Sequence, residues 1–320
     1  MIITGFAAVA VAFAVTFAVL PFLIRALRRH KIRQTEREEG VQSHLKKAGT
    51  PTMGGLAILA GILAVTLVFA WKYPAILPVM LLTFGFGAVG FVDDYLKVIL
   101  HRSDGLLAWQ KLLGEIAVTA LFLLVLTKAR GISLAMLVPF GGGRAASMGW
   151  FAVPFAFLVI LATVNGVNFT DGLDGLASGV TSVVCLFFLA ASALTGSLLH
   201  PAAGAVLGSL LAFLCFNSYP AKIFMGDTGS LALGGFVAGM AYSMQMPLYI
   251  PIVGFIYALE LVSVVLQVLY FKATHGRRIF RMTPIHHHFE LCGWSETRIV
   301  TVFTVITAVL CMLAACTLGA

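Results

Sequence analysis

Apolar residues fall in ten blocks along the chain, near 3–27, 52–71, 76–93, 111–127, 150–164, 178–196, 202–217, 229–245, 248–271 and 299–318. About 20 apolar residues cross the hydrocarbon core of a bilayer, so each block reads as one span. The pattern predicts an all-α polytopic membrane protein of about ten transmembrane helices, a single integral membrane domain over 1–320. The polar stretches between odd and even spans fall near 28–51, 94–110, 165–177, 218–228 and 272–298, and these are the expected cytoplasmic loops. Met1 to Leu20 carries no basic leading region, and no small-residue cleavage site precedes Arg25. The first block therefore reads as a retained span rather than a cleaved signal.

Composition agrees. Of 320 residues, 60% are hydrophobic and 11% charged, against roughly 25% charged in soluble proteins. Mean hydropathy is +1.00. Four of the five cysteines (Cys185, Cys215, Cys311, Cys316) lie within apolar runs and Cys292 lies in a polar loop, with no Cys-x-x-Cys or Cys/His metal spacing.

The net charge of +8 matters through its placement, and it implies no nucleic-acid partner. Seventeen of the 21 basic residues lie around odd-numbered loops; the even loops hold only Lys72, Lys128, Arg130 and Arg144. An excess of Lys and Arg marks the cytoplasmic side, which puts the odd loops inside and both termini outside. All 13 acidic residues also fall in the odd loops or in the spans that abut them. Topology alone leaves Asp and Glu nearly indifferent, so the one-sidedness of the acids needs a functional cause, a site on the cytoplasmic face.

Five polar clusters populate that face. In GFVDDYLK the adjacent Asp93 and Asp94 close the third span and Lys97 follows one turn later. Such neighbours repel unless a divalent cation or a proton sits beside them; the alternative is a solvated helix end with an Asp–Lys pair. In NGVNFTDGLDGLASG, Asn168, Asp171 and Asp174 recur every three residues and so face a common ligand or form a structural turn. Asp227 in MGDTGS stands at a plausible helix start, either as a cap or as a carboxylate beside a phosphate-binding N-terminus. RRIFRMTPIHHHFE carries His286, His287 and His288, which cannot all face one metal in a helix or a strand. It reads as a partly ordered loop whose imidazoles join Arg277, Arg278 and Arg281 on phosphate oxygens, or as a basic loop attracting anionic lipid. HLKKAGTPTMGG puts Lys47 and Thr52 at the mouth of the second span. Glu260 and Gln267, seven apart in the ninth span, share a helix face turned to the bundle interior.

Carboxylates for a metal, cations for phosphates and glycine-rich turns together suit phosphoryl transfer at a lipid boundary. A secondary transporter would instead place its acids near the midplane with access from both faces. In order and wording, VDDYLK (92–97), NFTDGLDGLASG (168–179), NSYPAKIFMGDTGS (217–230) and PIHHHFE (284–290) resemble the polyprenyl-phosphate sugar-1-phosphate transferases, and the triple histidine with GTPTMGG (49–55) is similar to their phospho-N-acetylmuramoyl-pentapeptide transferase branch.

That resemblance implies ten helices, often in a homodimer, in the bacterial plasma membrane. It also implies Mg²⁺-dependent transfer of phospho-MurNAc-pentapeptide from UDP to undecaprenyl phosphate, giving lipid I and UMP. By motif it makes Asp93 and Asp94 a catalytic pair and Asp227 catalytic and the Mg²⁺ ligand. Lys47, Thr52, Lys97, Lys111, Asn168, Asp171, Asp174, Asn217, Phe224, Gln267, His286, His287 and His288 would contact substrate.

Overall fold

In the computed structural model, residues 2–29, 49–100, 102 and 105–318 are described. Lys47, along with most of the first polar loop, lies outside the described residues. Every apolar block contains a helix. In chain order these are α1 (Ile2–Arg29), α2 (Gly55–Phe69), α3 (Leu77–Val98), α4 (Ala108–Leu124), α5 (Ala152–Thr170), α6 (Leu176–Leu194), α7 (His200–Asn217), α8 (Gly226–Ser243), the short α9 (Ile250–Val253), α10 (Phe255–Ala273), a further short helix α11 (Ile285–Leu291) and α12 (Glu296–Cys316). A two-residue hairpin pairs β1 (Met136–Leu137) antiparallel to β2 (Ala145–Ala146).

Eight helical segments among the described residues are long and apolar enough to cross a membrane, and the chain is an all-α polytopic membrane protein. The two remaining long helices fall outside that set for physical reasons. Helix α2 has 15 residues. Helix α8 is rich in Gly, Ser and Thr, yet Thr228 to Tyr242 is buried along its whole length. A helix buried all round sits at the centre of a bundle, and α8 packs there against α3 and α5, while α7 packs against α1, α2 and α6. Large apolar side chains such as Phe6, Phe22, Leu67, Leu158 and Leu269 point outward, as a surface bathed in acyl chains permits. Lipid offers helices no hydrophobic reason to associate, so close approach at small residues takes that role.

Two features depart from the sequence reading. The ninth block is not one helix: it breaks at Gly254, whose N–H still reaches Ile250 O at 2.8 Å while the chain leaves helical geometry. The His segment, read as a partly ordered loop, is helical over Ile285–Leu291 and sends its three imidazoles to different partners. Helix α8 begins at Gly226, where the sequence reading put a helix start, and Asp227 lies in its first turn. Cys185 and Cys311 are buried, whereas Cys215 and Cys316 face outward and Cys292 is exposed.

The tightest seam runs between α3 and the start of α8. An ideal Cβ at Gly90 would fall on the Asp227 carbonyl and within 2.8 Å of Thr228 N. Gly90→Ala must push these helices apart or bend one of them. Overpacking of this kind costs about 1–3 kcal/mol, so the variant is expected to show a lower melting temperature in detergent, and any activity that depends on Asp94, one turn further along α3, should fall with it. An unchanged melting curve would contradict the seam.

Candidate functional site

The seam at Gly90 fixes what the next turn of α3 can reach. Asp94 is buried and its Oδ1 accepts the backbone N–H of Asp227 at 3.1 Å, while Oδ2 accepts the N–H of Thr228 at 2.8 Å and the Thr228 hydroxyl at 2.6 Å. Helix α8 has no side-chain cap of its own from Met225. Its first orphan N–H groups are capped from another helix, by Asp94. The Thr52 hydroxyl and Asp94 Oδ2 both close on Gly226, where a Cβ would come within 3.1 and 2.6 Å of them. Backbone bonds pin the Thr52 segment there: Phe224 N–H donates to Pro51 O at 2.8 Å, and Gly54 N–H to Phe224 O at 2.8 Å.

Asp227 is the hub. Its Oδ2 accepts from Lys97 Nζ at 3.0 Å and from Lys111 Nζ at 3.2 Å, and its Oδ1 from Asn168 Nδ2 at 2.9 Å. The same Asn168 nitrogen also lies 2.8 Å from Ser230 Oγ, one turn along α8. Asp93, about 100° round α3 from Asp94, meets Lys97 Nζ at 2.6 Å and accepts the Leu106 N–H at 2.7 Å. Lys97 therefore bridges Asp93 and Asp227. Three carboxylates from α3 and α8, two lysines from α3 and α4 and an amide from α5 thus converge at one end of the bundle.

Asp171 ends α5 just beyond this cluster. Desolvation pushes its carboxyl well above the ordinary value of 3.8, and the negative charges of Asp227, Asp94 and Asp174 push it the same way. Among the described residues, no three His, Cys, Asp or Glu side chains form a ready-made metal cage. The donor chemistry nevertheless fits Mg²⁺, which dehydrates reluctantly and is usually held by one or two carboxylates together with water and substrate phosphates. Asp227 presents oxygens that two ammonium groups already seek, so this face is built to meet positive charge, and Asp171 lies in a field of negative charge that a cation would relieve.

Other residues singled out by sequence make hydrogen bonds to backbone groups. Asn217 Oδ1 accepts from Gly175 N–H and Ser178 Oγ, both at 3.1 Å, and its Nδ2 donates to Ile223 O at 3.0 Å. Gln267 Oε1 accepts the N–H groups of Ile279 and Phe280, each at 3.0 Å, and its amide nitrogen, Nε2, donates to Phe280 O at 3.0 Å. Asp174 Oδ2 accepts Ala221 N–H at 2.9 Å. Phe224 is half-buried on the segment paired with Pro51.

His286 is fully buried with Nδ1 3.0 Å from Glu260 Oε1; His287 Nδ1 lies 2.8 Å from Glu290 Oε2; His288 Nδ1 accepts the Arg281 N–H at 3.2 Å. The sequence reading gave no role to Glu115 and Asn165. Glu115 is buried on α4 one turn after Lys111, and its Oε2 accepts from Asn165 Nδ2 at 2.9 Å. Their i, i+4 spacing, Lys111 to Glu115, was the available signal. Asn165 also lines an open cavity of about 500 Å³ between α5 and α10, whose other walls are apolar: Leu158, Leu161, Phe169, Leu261 and Val265 among them.

Known proteins match this chain closely. The profile of Glycosyl transferase family 4 matches residues 76–245, which hold the whole Asp227 cluster, and Phospho-N-acetylmuramoyl-pentapeptide-transferase signature 1 matches residues 47–59. The phospho-N-acetylmuramoyl-pentapeptide-transferase of Acetivibrio thermocellus is 47% identical, over 94% of this chain and 91% of that protein. Its namesakes in Caldicellulosiruptor bescii and Clostridioides difficile are each 44% identical, over 96% and 94% of this chain and 95% and 93% of their own lengths. Similarity of that extent, with both family profiles matched, places the chain in the phospho-N-acetylmuramoyl-pentapeptide transferase family, within glycosyl transferase family 4.

Proposed function

We propose that this transferase moves phospho-MurNAc-pentapeptide from its UDP carrier to undecaprenyl phosphate with Mg²⁺, releasing UMP and forming lipid I on the cytoplasmic face of the bacterial plasma membrane. The observation that carries the reading is the Lys97–Asp227–Lys111 contact at the start of α8, with Asn168 on the opposite carboxylate oxygen. A diphosphate brought to this point meets two ammonium groups and the positive end of a helix. When bound, Mg²⁺ would neutralise phosphoryl charge; Asp227 would hold it, with Asp171 beside it.

The chain's own residues do the rest. Lys97 and Lys111 hold phosphate oxygens, Asn168 orients Asp227, and Asp94 keeps α8 in place. Asp93 lies beside Lys97, where it can orient the attacking phosphate. At pH 7 a phosphate monoester, with its second pKa near 6, is already mostly ionised, so positioning outweighs proton removal. The apolar cavity that Asn165 helps to line suits a polyprenyl chain. Thr52, Asn217, Phe224, Gln267 and the three histidines would shape the nucleotide and sugar-peptide pockets, with Lys47. Clustering of Asp93, Asp94, Asp171 and Asp227 at one end of the bundle supports odd loops inside; ten crossings within one domain and both termini outside belong to the same reading. A homodimer is part of the same reading.

Direct attack is favoured over an aspartyl-phosphate intermediate because Asp94 is committed to three hydrogen bonds and Asp93 to two. UMP release should require Mg²⁺ and undecaprenyl phosphate, and should be faster with UDP-MurNAc-pentapeptide than with UDP-GlcNAc; faster release from UDP-GlcNAc overturns the substrate assignment. Asp227→Asn should lower the rate about 10²–10³-fold, the usual cost of removing one electrostatic contact from a reacting centre. Enzyme mixed with UDP-substrate alone should give no stoichiometric burst of UMP. A burst would require the two-step route.

Asp171 supplies a pH test. Its folded-state pKa is raised above the ordinary 3.8, so the folded protein holds the proton longer than the unfolded chain, and stability drains away as pH rises from that value towards the folded one. Asp171→Asn abolishes the penalty. Without divalent cations the variant should melt higher than the parent at pH 7, with the difference closing below pH ~4, and it should be a poorer enzyme. Equal melting temperatures at both pH values would remove the case for a charge-strained Asp171.

A further inference from the structure

Glu260 has no part in the chemistry above, yet it is an ionisable side chain with no exposed surface in the middle of an apolar helix. Such groups are costly and face partners inside the bundle. Its partner is His286, also without exposed surface, whose Nδ1 stands 3.0 Å from Glu260 Oε1. The far edge of the imidazole is pressed against the backbone of Gly172: an ideal Cβ there would overlap His286 Nε2 and lie 2.5 Å from Cε1. Nε2 is buried and has no hydrogen-bond partner. Gly172 follows Asp171 in the turn that leads to Asp174.

The same face of α10 holds the same segment a second time, since Gln267 binds the backbone of Ile279 and Phe280. Helix α10 therefore grips residues 279–286 at both ends, and the His286 ring is the wedge between that grip and the Asp171 turn.

We propose that Glu260 is a positioning residue that acts through His286. By taking the Nδ1 hydrogen it fixes the tautomer and the ring plane, so that the Nε2 edge of the imidazole sets the backbone of the Asp171–Asp174 turn. Carboxylates orient functional histidines in this way wherever a ring must present one chosen nitrogen. The consequence for catalysis rests on the transferase reading above, in which Asp171 faces the metal and Asp174 ties down Ala221.

The test has one arm that needs no activity. In protein with ¹⁵N-labelled histidine, the His286 signal, assigned by its loss in His286→Asn, should show hydrogen on Nδ1, and Glu260→Gln should shift it. A wild-type signal with hydrogen on Nε2 alone overturns the proposal whatever the enzyme's substrate.

In the second arm, Glu260→Gln, close in shape to the native side chain, should lower kcat about 10- to 100-fold, as loss of an orienting carboxylate does, with KM for the UDP-substrate changed less than twofold. His286→Asn should cost at least as much. The double variant should be no slower than His286→Asn alone, because residues that act through one another are not additive. Additive losses would mean that Glu260 acts independently, and the proposal fails. Gly172→Ala, which leaves both side chains intact but displaces the ring, should reproduce the kcat loss; full activity in that variant also overturns it. Inactivity of the parent on UDP-MurNAc-pentapeptide, with the Nδ1 signal present, would count against the substrate assignment and leave the positioning role standing.

Discussion

Everything at the polar end of the bundle depends on one carboxylate from α3 capping the first turn of α8. A helix end brings unsatisfied N–H groups with it, and burial makes them costly unless something accepts their hydrogens. Asp94 accepts two of them and a hydroxyl besides. It can do so only because Gly90, one turn earlier, lets the two backbones touch. Capping and close packing are thus one device. With α8 fixed in this way, Asp227 cannot avoid facing Lys97, and Asn168 of α5 arrives from the other side.

This geometry gives adjacent aspartates separate tasks. Neighbours on a helix point about 100° apart, since 3.6 residues make a turn, so a pair in sequence is not a pair in space. Asp94 turns into the bundle and holds structure. Asp93 turns to Lys97 and to the Leu106 N–H, towards the centre where phosphates are proposed to lie.

Much of this was legible in the sequence. The ten apolar blocks each yielded a helix, and Asp93, Asp94, Asp171 and Asp227, drawn from three odd loops and the spans beside them, gathered at one end of the bundle. Asp93, Asp227, Lys97, Lys111 and Asn168 came together from four helices. What sequence could not separate is a polar side chain that serves a ligand from one that serves the backbone, because both must face inward. Asn217, Gln267 and Asp174 bond backbone groups of loops. The break at Gly254 was hidden because glycine is common in these spans. Helix α11 was hidden because seven residues are too few to carry a periodic signal.

The lysines explain how so acidic a centre can exist at the rim of a membrane. Four aspartates, Asp93, Asp94, Asp171 and Asp227, share a region of low dielectric where their mutual repulsion is weakly screened. Lys97 offsets two of them and Lys111 binds one; the α8 terminus takes Asp94. Burial and the negative charges of Asp227, Asp94 and Asp174 still hold the Asp171 carboxyl well above its ordinary value. In the proposed reaction an incoming diphosphate would compete for the same ammonium groups, and each lysine that turned to phosphate would uncover a carboxylate oxygen on Asp93 or Asp227. The centre would then gain affinity for a cation at the moment an anion entered. Metal and diphosphate should then bind with positive cooperativity, because each removes the charge that opposes the other.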